Sequence, residues 1–223
     1  MLKKIDILGM QIDNHTVREA MTKVESYLES VGMNTIETID MKMLDMAETD
    51  EGMKRCIESL DLTIIGEKEI LTAVSVHSSQ RINETENHEF FREFMKRILR
   101  HKNSVFLLAE TNEELTELRD FLEEQYERIV IAGSCAAEEL SGDVEGVINE
   151  INGAAADVLL SVLPSPAQEH FLTENRNKLD VKIWYGIGDN YMLPSGIGRL
   201  SNLAGKLIHK KKLLSQLHKY NKN

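Results

Sequence analysis

Between Val158 and Phe171 an apolar run, Val158-Leu-Leu-Ser-Val-Leu163, stops at Pro164-Ser165-Pro166 and gives way to Gln168 and Glu169. This pattern predicts a strand feeding a helix, with both polar side chains in the helix's first turn. In open α/β sheets ligands collect at the carboxyl edge, where a helix N-terminus offers free N–H groups to an anion such as a diphosphate. Read plainly, the same segment is an ordinary strand-to-helix turn capped by Ser165. Gly186 and Gly188 follow a second apolar run and could bring backbone close to a phosphate, or could serve backbone geometry alone. Ser165, Gln168, Glu169, Gly186 and Gly188 are thus the candidate binding residues of one sheet edge.

The rest of the chain supplies the elements to build that edge. Ile5 to Ile12 reads as a strand, and Thr16 with Glu19 forms a capping box for a helix ending near Ser30. A helix is expected from about Lys42 to Leu60, followed by the apolar run 62–65. Phe90, Phe91, Phe94, Met95, Ile98 and Leu99 recur at helical spacing, and 105–109 is a strand by its short apolar run. Thr111 and Glu114 open another helix. Strands at 129–132, 158–163 and 181–185 alternate with helices at about 143–152 and 166–179. This alternation predicts an α/β fold with a mainly parallel sheet and helices on both faces, Rossmann-like. Residues 109–112, Gly133-Ser134, 164–168 and 186–190 then all follow strands and gather at one edge.

Composition narrows the function classes. The chain has 223 residues and a net charge of −11, yet no acidic residue follows Asp189. Seven lysines and arginines beyond it give the tail +7 and leave −18 on residues 1–189. An acidic body argues against nucleic-acid binding, which needs a broad basic face. Leu200, Leu203, Leu207, Ile208, Leu214 and Leu217 form an apolar stripe among the tail's lysines, the pattern of an amphipathic helix. Such a helix can lie on anionic lipid; it can equally dock on the acidic body or on a second subunit, making a homo-oligomer. The expected division is an α/β domain over 1–195 and a basic tail over 196–223.

Cys56 and Cys135 are far apart and read as buried thiols, and the scattered histidines suggest no metal site. With no signal-like segment and no stretch long enough to span a bilayer, a cytoplasmic protein is expected, peripheral on the membrane's inner face if the tail binds lipid.

Pro166-Ala167-Gln168-Glu169-His170-Phe171 resembles the Pro-Lys-Gln-Glu-x-Trp motif of the WecG/TagA/CpsF glycosyltransferases. The resemblance runs from Ile5 to about Leu200. It takes in Ile7-Leu-Gly-Met-Gln-Ile-Asp13, Thr38 and its spacing to Asp50 and Asp61-Leu62, and Gln80-Arg-Ile-Asn-Glu-Thr85. Val105-Phe-Leu-Leu108, Ile151-Asn152, Ala156-Asp157, Glu174-Asn-Arg176 and Gly186-Ile-Gly188 continue it. No single piece is specific; their order and spacing are.

The resemblance implies transfer of an amino sugar from a UDP-sugar to a polyprenyl-diphosphate-linked acceptor, in surface polysaccharide or teichoic acid synthesis, without a cofactor or metal. Such a transfer needs a base for the incoming hydroxyl and a stabiliser for the departing diphosphate. Carried over by motif, the family's site falls on Thr38, Arg81 and Gln168. Its Asp does not carry over: Gly66 stands in that place, with Glu67 next to it. Asp40, Ala167, Ala109-Glu110 and Met192 depart from the pattern around the same pocket.

Glu67 could supply the missing carboxylate, or the chain could be an inactive paralogue that binds a nucleotide sugar or a partner enzyme. A nucleotide-binding module without sugar specificity is a third reading. Each residue also has a plain alternative. Glu67 would be part of a solvated helix start, Arg81 a surface ion-pair partner in a polar loop, Thr38 an N-cap, and His170 an ordinary surface histidine.

Overall fold

The computed structural model describes residues 3–140 and 143–187, with Ser215 on its own. Gly188, Met192 and the tail over 196–223, Ser215 apart, lie outside the described residues. In chain order the elements are β1 (Lys4–Ile7), β2 (Met10–Asp13), α1 (Val17–Glu29), β3 (Asn34–Ile39), α2 (Met41–Ala47) and α3 (Glu51–Ser59). β4 (Leu62–Ile65), α4 (Lys68–Ala73), α5 (Ser79–Glu86), α6 (Glu89–His101), β5 (Ser104–Ala109) and α7 (Asn112–Gln125) follow. The described part closes with β6 (Val130–Ala136), α8 (Val144–Gly153), β7 (Val158–Ser161), α9 (Ala167–Asn175) and β8 (Ile183–Gly186).

Six strands pair in the order β4-β3-β8-β7-β5-β6, every pair parallel, so their carboxyl ends share one edge as the strand-helix alternation predicts. Parallel strands are covered on both faces and therefore read as near-continuous apolar runs. In β5, Val105, Leu107 and Ala109 face the core packed by α1, α6 and α7, while Phe106 and Leu108 face the core packed by α2, α3, α8 and α9. Helices thus lie on both sides of the sheet. Both cysteines are free and buried.

Local chemistry corrects several expected boundaries. Ile5 to Ile12 is not one strand but the antiparallel hairpin β1–β2, because Leu8 and Gly9 turn the chain at φ 53° and 80° while Asp6 Oδ1 accepts the Gly9 N–H (3.1 Å). The hairpin docks on β4 through Asp13, whose Oδ2 accepts from the Thr63 N–H at 3.0 Å and whose own N–H donates to Thr63 Oγ1 at 2.7 Å. The single helix expected over 42–60 is two. Asp50 accepts the N–H groups of Gly52 (2.8 Å) and Met53 (3.0 Å), and so caps a new helix where the old one would have run on. Gly133 and Ser134 lie inside β6 rather than after it. The two capping boxes at Thr16 and Thr111 form as their spacing predicts.

Candidate functional site at the carboxyl edge of the sheet

β3 positions the first residue. Thr38, one residue before the strand's end, shares a hydrogen bond of 3.1 Å with the Tyr185 hydroxyl on β8. Asp40, not Thr38, is the N-cap of α2, accepting the Met43 N–H at 2.7 Å, so Thr38 is spared a capping role. Tyr185 is enclosed by Phe90 and Phe94, ring centroids 5.7 and 5.0 Å away in edge contacts. Burial pushes its phenol well above the usual range, which keeps it protonated.

Thr38 and Tyr185 line a cavity closed by Gly66, Arg81, Thr85 and His15. It holds about 60 Å³, well below the roughly 300–1,000 Å³ of a small-molecule site. The His15 Nδ1 and Thr85 Oγ1 are buried without hydrogen-bond partners among the described residues. Burial lowers the His15 pKa, the nearby Asp13 charge opposing it, so the ring is neutral at pH 7.

Arg81 is in neither a loop nor the solvent. It sits in the first turn of α5, 5% exposed, with Nη1 donating to Glu84 Oε2 at 2.9 Å and Nε to Asn14 Oδ1 at 3.3 Å. Glu84 Oε2 also accepts the N–H of Val17, the first residue of α1 (3.1 Å). A buried cation needs such a partner, since an unpaired one is too costly to keep. Arg81 therefore ties α5 to α1 while lining the cavity.

Gln168, Glu169 and Gly186 reach the same edge from the opposite side of the sheet. Successive strand residues face opposite ways, so Thr38 and Glu37 on β3 look into different cores. Gln168 and Glu169 are fully buried on α9, and Gln168 Nε2 donates to Glu37 Oε1 at 2.5 Å. The Gln168 Oε1 has no partner among the described residues. A Cβ at Gly186 would lie 2.7 Å from Gln168 Nε2 and 3.0 Å from Glu37 Oε1, so only glycine lets this pair lie against β8. The sequence reading puts all of these residues in one pocket; the structure gives them a common edge but divides them between two faces.

Two turn residues also behave differently from expectation. Ser165 does not cap α9: the N-cap position is Pro166, without a side-chain cap, and the Ser165 hydroxyl donates instead to Glu169 Oε1 at 2.6 Å. Glu67 is half-buried, with Oε2 accepting the N–H of Met41 at the start of α2 (2.9 Å), and is not among the residues lining the Thr38 cavity. Gly66 precedes it under tight constraint. A Cβ there would stand 2.7 Å from Thr38 Cγ2 and 3.2 Å from the Ile39 carbonyl oxygen, so position 66 has no room for a carboxylate as the chain is packed. His170 is a surface residue, 3.7 Å from Asp50.

Glu37 escapes the sequence reading altogether. Its signal is a charged residue in the middle of an otherwise apolar and threonine-rich strand, Asn34-Thr-Ile-Glu-Thr-Ile39. Burial pushes its carboxyl well above the usual range, and the neighbouring Glu169 charge pushes it further. Among the described residues, no group of three or more His, Cys, Asp or Glu side chains is arranged to hold a metal ion, and no helix is long and apolar enough to cross a membrane.

Known proteins are similar to this chain in sequence. Two from Staphylococcus aureus, strains MRSA252 and NCTC 8325 / PS 47, are each an N-acetylglucosaminyldiphosphoundecaprenol N-acetyl-beta-D-mannosaminyltransferase. Each is 22% identical to this chain over 200 residues, covering 86% of this chain and 76% of its own. The profile of the Glycosyl transferase WecG/TagA/CpsF family matches residues 5–198, a span that includes the whole sheet and both sides of its carboxyl edge. The chain belongs to the WecG/TagA/CpsF glycosyltransferase family.

Proposed function

We propose that this protein transfers an amino sugar, N-acetylmannosamine in the relatives' names, from a UDP-sugar to a polyprenyl-diphosphate-linked acceptor in surface polysaccharide or teichoic acid synthesis. The observation that carries this reading is that Thr38, Arg81 and Gln168, the residues that match the family's motifs, lie at one sheet edge, Thr38 and Arg81 on one face and Gln168 on the other against Glu37. The cavity beside Thr38 is too small for a nucleotide sugar, so the donor lies across the edge over β3 and β8. There the backbone after Pro164, and Gln168 once the donor uncovers it, meet the diphosphate or uridine, Glu67 takes the acceptor's proton, and Thr38 and Arg81 set the wall behind the sugar.

The donor contact is tested by calorimetric titration of UDP. Gln168→Ala is expected to weaken binding about tenfold, the equivalent of ~1.4 kcal/mol, because a directed hydrogen bond is lost while the backbone turn remains. Unchanged affinity removes Gln168 from the site. The closed position at Gly66 favours a second reading, an inactive homologue that binds the nucleotide sugar without turning it over. UDP release with a lipid-linked acceptor separates the two.

The basic tail completes the proposal as a reversible attachment to anionic membrane on the cytoplasmic face. Each lysine or arginine near such a surface contributes about 1 kcal/mol, and salt screens it. Full-length protein is expected to sediment with anionic vesicles and to be released as salt rises. Equal sedimentation after deletion of residues 196–223 would show that attachment lies elsewhere.

A further inference from the structure

Glu37 and Glu169 are both fully buried, and their side chains are hydrogen-bonding neighbours across the contact of β3 with α9. Neither carboxyl is fully partnered. Glu37 Oε1 accepts from Gln168 Nε2 and Glu169 Oε1 from the Ser165 hydroxyl, but Oε2 of each is buried without a donor among the described residues. Native interiors seldom leave such oxygens unpaired, and two like charges this close cannot both stay ionised. A single proton removes both faults. Held on Glu37, it donates to Glu169 and converts two orphan acceptors into one hydrogen bond.

We infer that Glu37 is a positioning residue for Gln168, acting through a proton shared with Glu169, so that ligand binding at this edge is coupled to that proton. The inference rests on the proposed role of Gln168 and adds a residue and a pH dependence to it. A protonated Glu37 presents a carbonyl oxygen to Gln168 Nε2 and fixes the carboxamide, with its free Oε1, against Gly186. Loss of the proton places two charges under α9 and pushes its first turn, which carries Gln168, away from β3.

The surroundings agree with a retained proton. Asp40 at the end of β3 adds negative charge that raises the Glu37 pKa further. Cys56 on α3, whose Sγ donates to the Glu169 carbonyl oxygen at 3.5 Å, is itself pushed up to about 12 by burial and stays neutral. Burial raises the Glu169 pKa as well, with the Ser165 hydroxyl, just before α9, and His170, on it, opposing the rise. Arg176, beyond the end of α9, acts on Cys56 and is paired with Asp61 at 2.9 Å. From β8, Gly186 lies against Glu37 and Gln168, and on the same face Trp184 stacks on Phe171 of α9 with its buried Nε1 unpartnered among the described residues.

The sign follows from linkage. A carboxyl whose folded pKa lies above its ordinary 4.5 stabilises the fold below that value and loses its contribution as pH rises through the folded pKa. Glu37→Gln copies the protonated form: its oxygen accepts from Gln168, its amide donates to Glu169, and it has no proton to lose. Glu37→Leu copies neither.

UDP affinity and Tm of the full-length chain are measured from about pH 5 to about pH 9, the range in which a buried carboxyl titrates. Wild type is expected to lose UDP affinity with rising pH by up to about tenfold per unit, the limit for one linked proton. E37Q is expected to hold the wild-type low-pH affinity throughout, and E37L to bind weakly at every pH. The wild-type-to-E37Q difference cancels UDP's own titration. A flat difference, with UDP bound by both proteins, overturns the shared proton.

If neither protein binds UDP, the proposed donor site fails, and the pair is still read from Tm: wild type must fall relative to E37Q as pH rises, and parallel curves overturn it. Should E37Q not fold, E169Q gives the same flattening of the Tm curve by removing the second charge. A Tm rise with added Mg²⁺ in wild type alone would overturn the proton in favour of a bound cation.

Discussion

Arg81→Leu is expected to cost about 3–5 kcal/mol of folding stability, the range for removing one partner of a buried ion pair. The loss is large because of what stays behind. Glu84 is 8% exposed, and its Oε2 would keep only the Val17 N–H after losing the guanidinium. Asn14 would lose the Nε–H donor as well. For a chain of this size the change is roughly 10 °C in Tm, taking ~2–4 °C per kcal/mol.

Arg81→Leu combined with Glu84→Leu should recover much of the loss, since two apolar groups leave no buried charge. Arg81→Lys should not, because an ammonium cannot hold the Nη1 and Nε contacts in one plane. Urea unfolding of the three variants decides the matter. An unchanged midpoint for Arg81→Leu, together with lost UDP affinity, would mean that the arginine serves the ligand and not the fold.

Arg81 also shows where reading the sequence stops. Its neighbours Ser79, Gln80, Asn83 and Glu84 are polar, and polarity alone suggests a loop. Yet Ser78 is an N-cap, its Oγ accepting the Arg81 N–H at 3.4 Å, and the helix it opens turns Arg81, Glu84 and Thr85 inward. A helix that buries its polar face carries no apolar stripe by which to find it. The strands lacked this difficulty. Runs such as 105–109 and 158–160 are apolar because both faces are covered, and helix caps at Thr16 and Thr111 announce themselves by spacing alone.

The hairpin failed for a related reason. Ile5, Ile7, Met10 and Ile12 keep an apolar side buried through the turn, so hydrophobicity does not mark Leu8 at φ 53° as the place where the chain reverses. At the site, motif position gave the edge but not the face. Which side α9 packs against is set by its contact with α3 and by Glu37, a long-range outcome that local sequence does not encode. A glutamate amid Asn34-Thr-Ile-Glu-Thr-Ile39 was the visible sign that something on that side requires a polar partner.

Glu67→Gln is expected to lower kcat by about 10²–10⁴-fold, the usual contribution of a general base. UDP affinity should stay within about threefold, because a base acts on the acceptor's proton and leaves the bound donor untouched. The substitution is mild in structure. The glutamine oxygen can still accept the Met41 N–H that Glu67 Oε2 accepts at 2.9 Å, so the start of α2 is kept.

Position 66 offers no substitute, since any side chain there meets Thr38 Cγ2 at 2.7 Å and the Ile39 carbonyl at 3.2 Å. Gly66→Asp in the Glu67→Gln background should therefore not restore the lost turnover and should cost stability through overpacking, about 1–3 kcal/mol. Two results would sink the assignment. A folded double variant with restored turnover would return the base to position 66, and a Glu67→Gln enzyme with undiminished kcat would place it on neither residue. Wild-type protein that binds UDP but releases none from a UDP-sugar and lipid-linked acceptor would identify the chain as the inactive homologue.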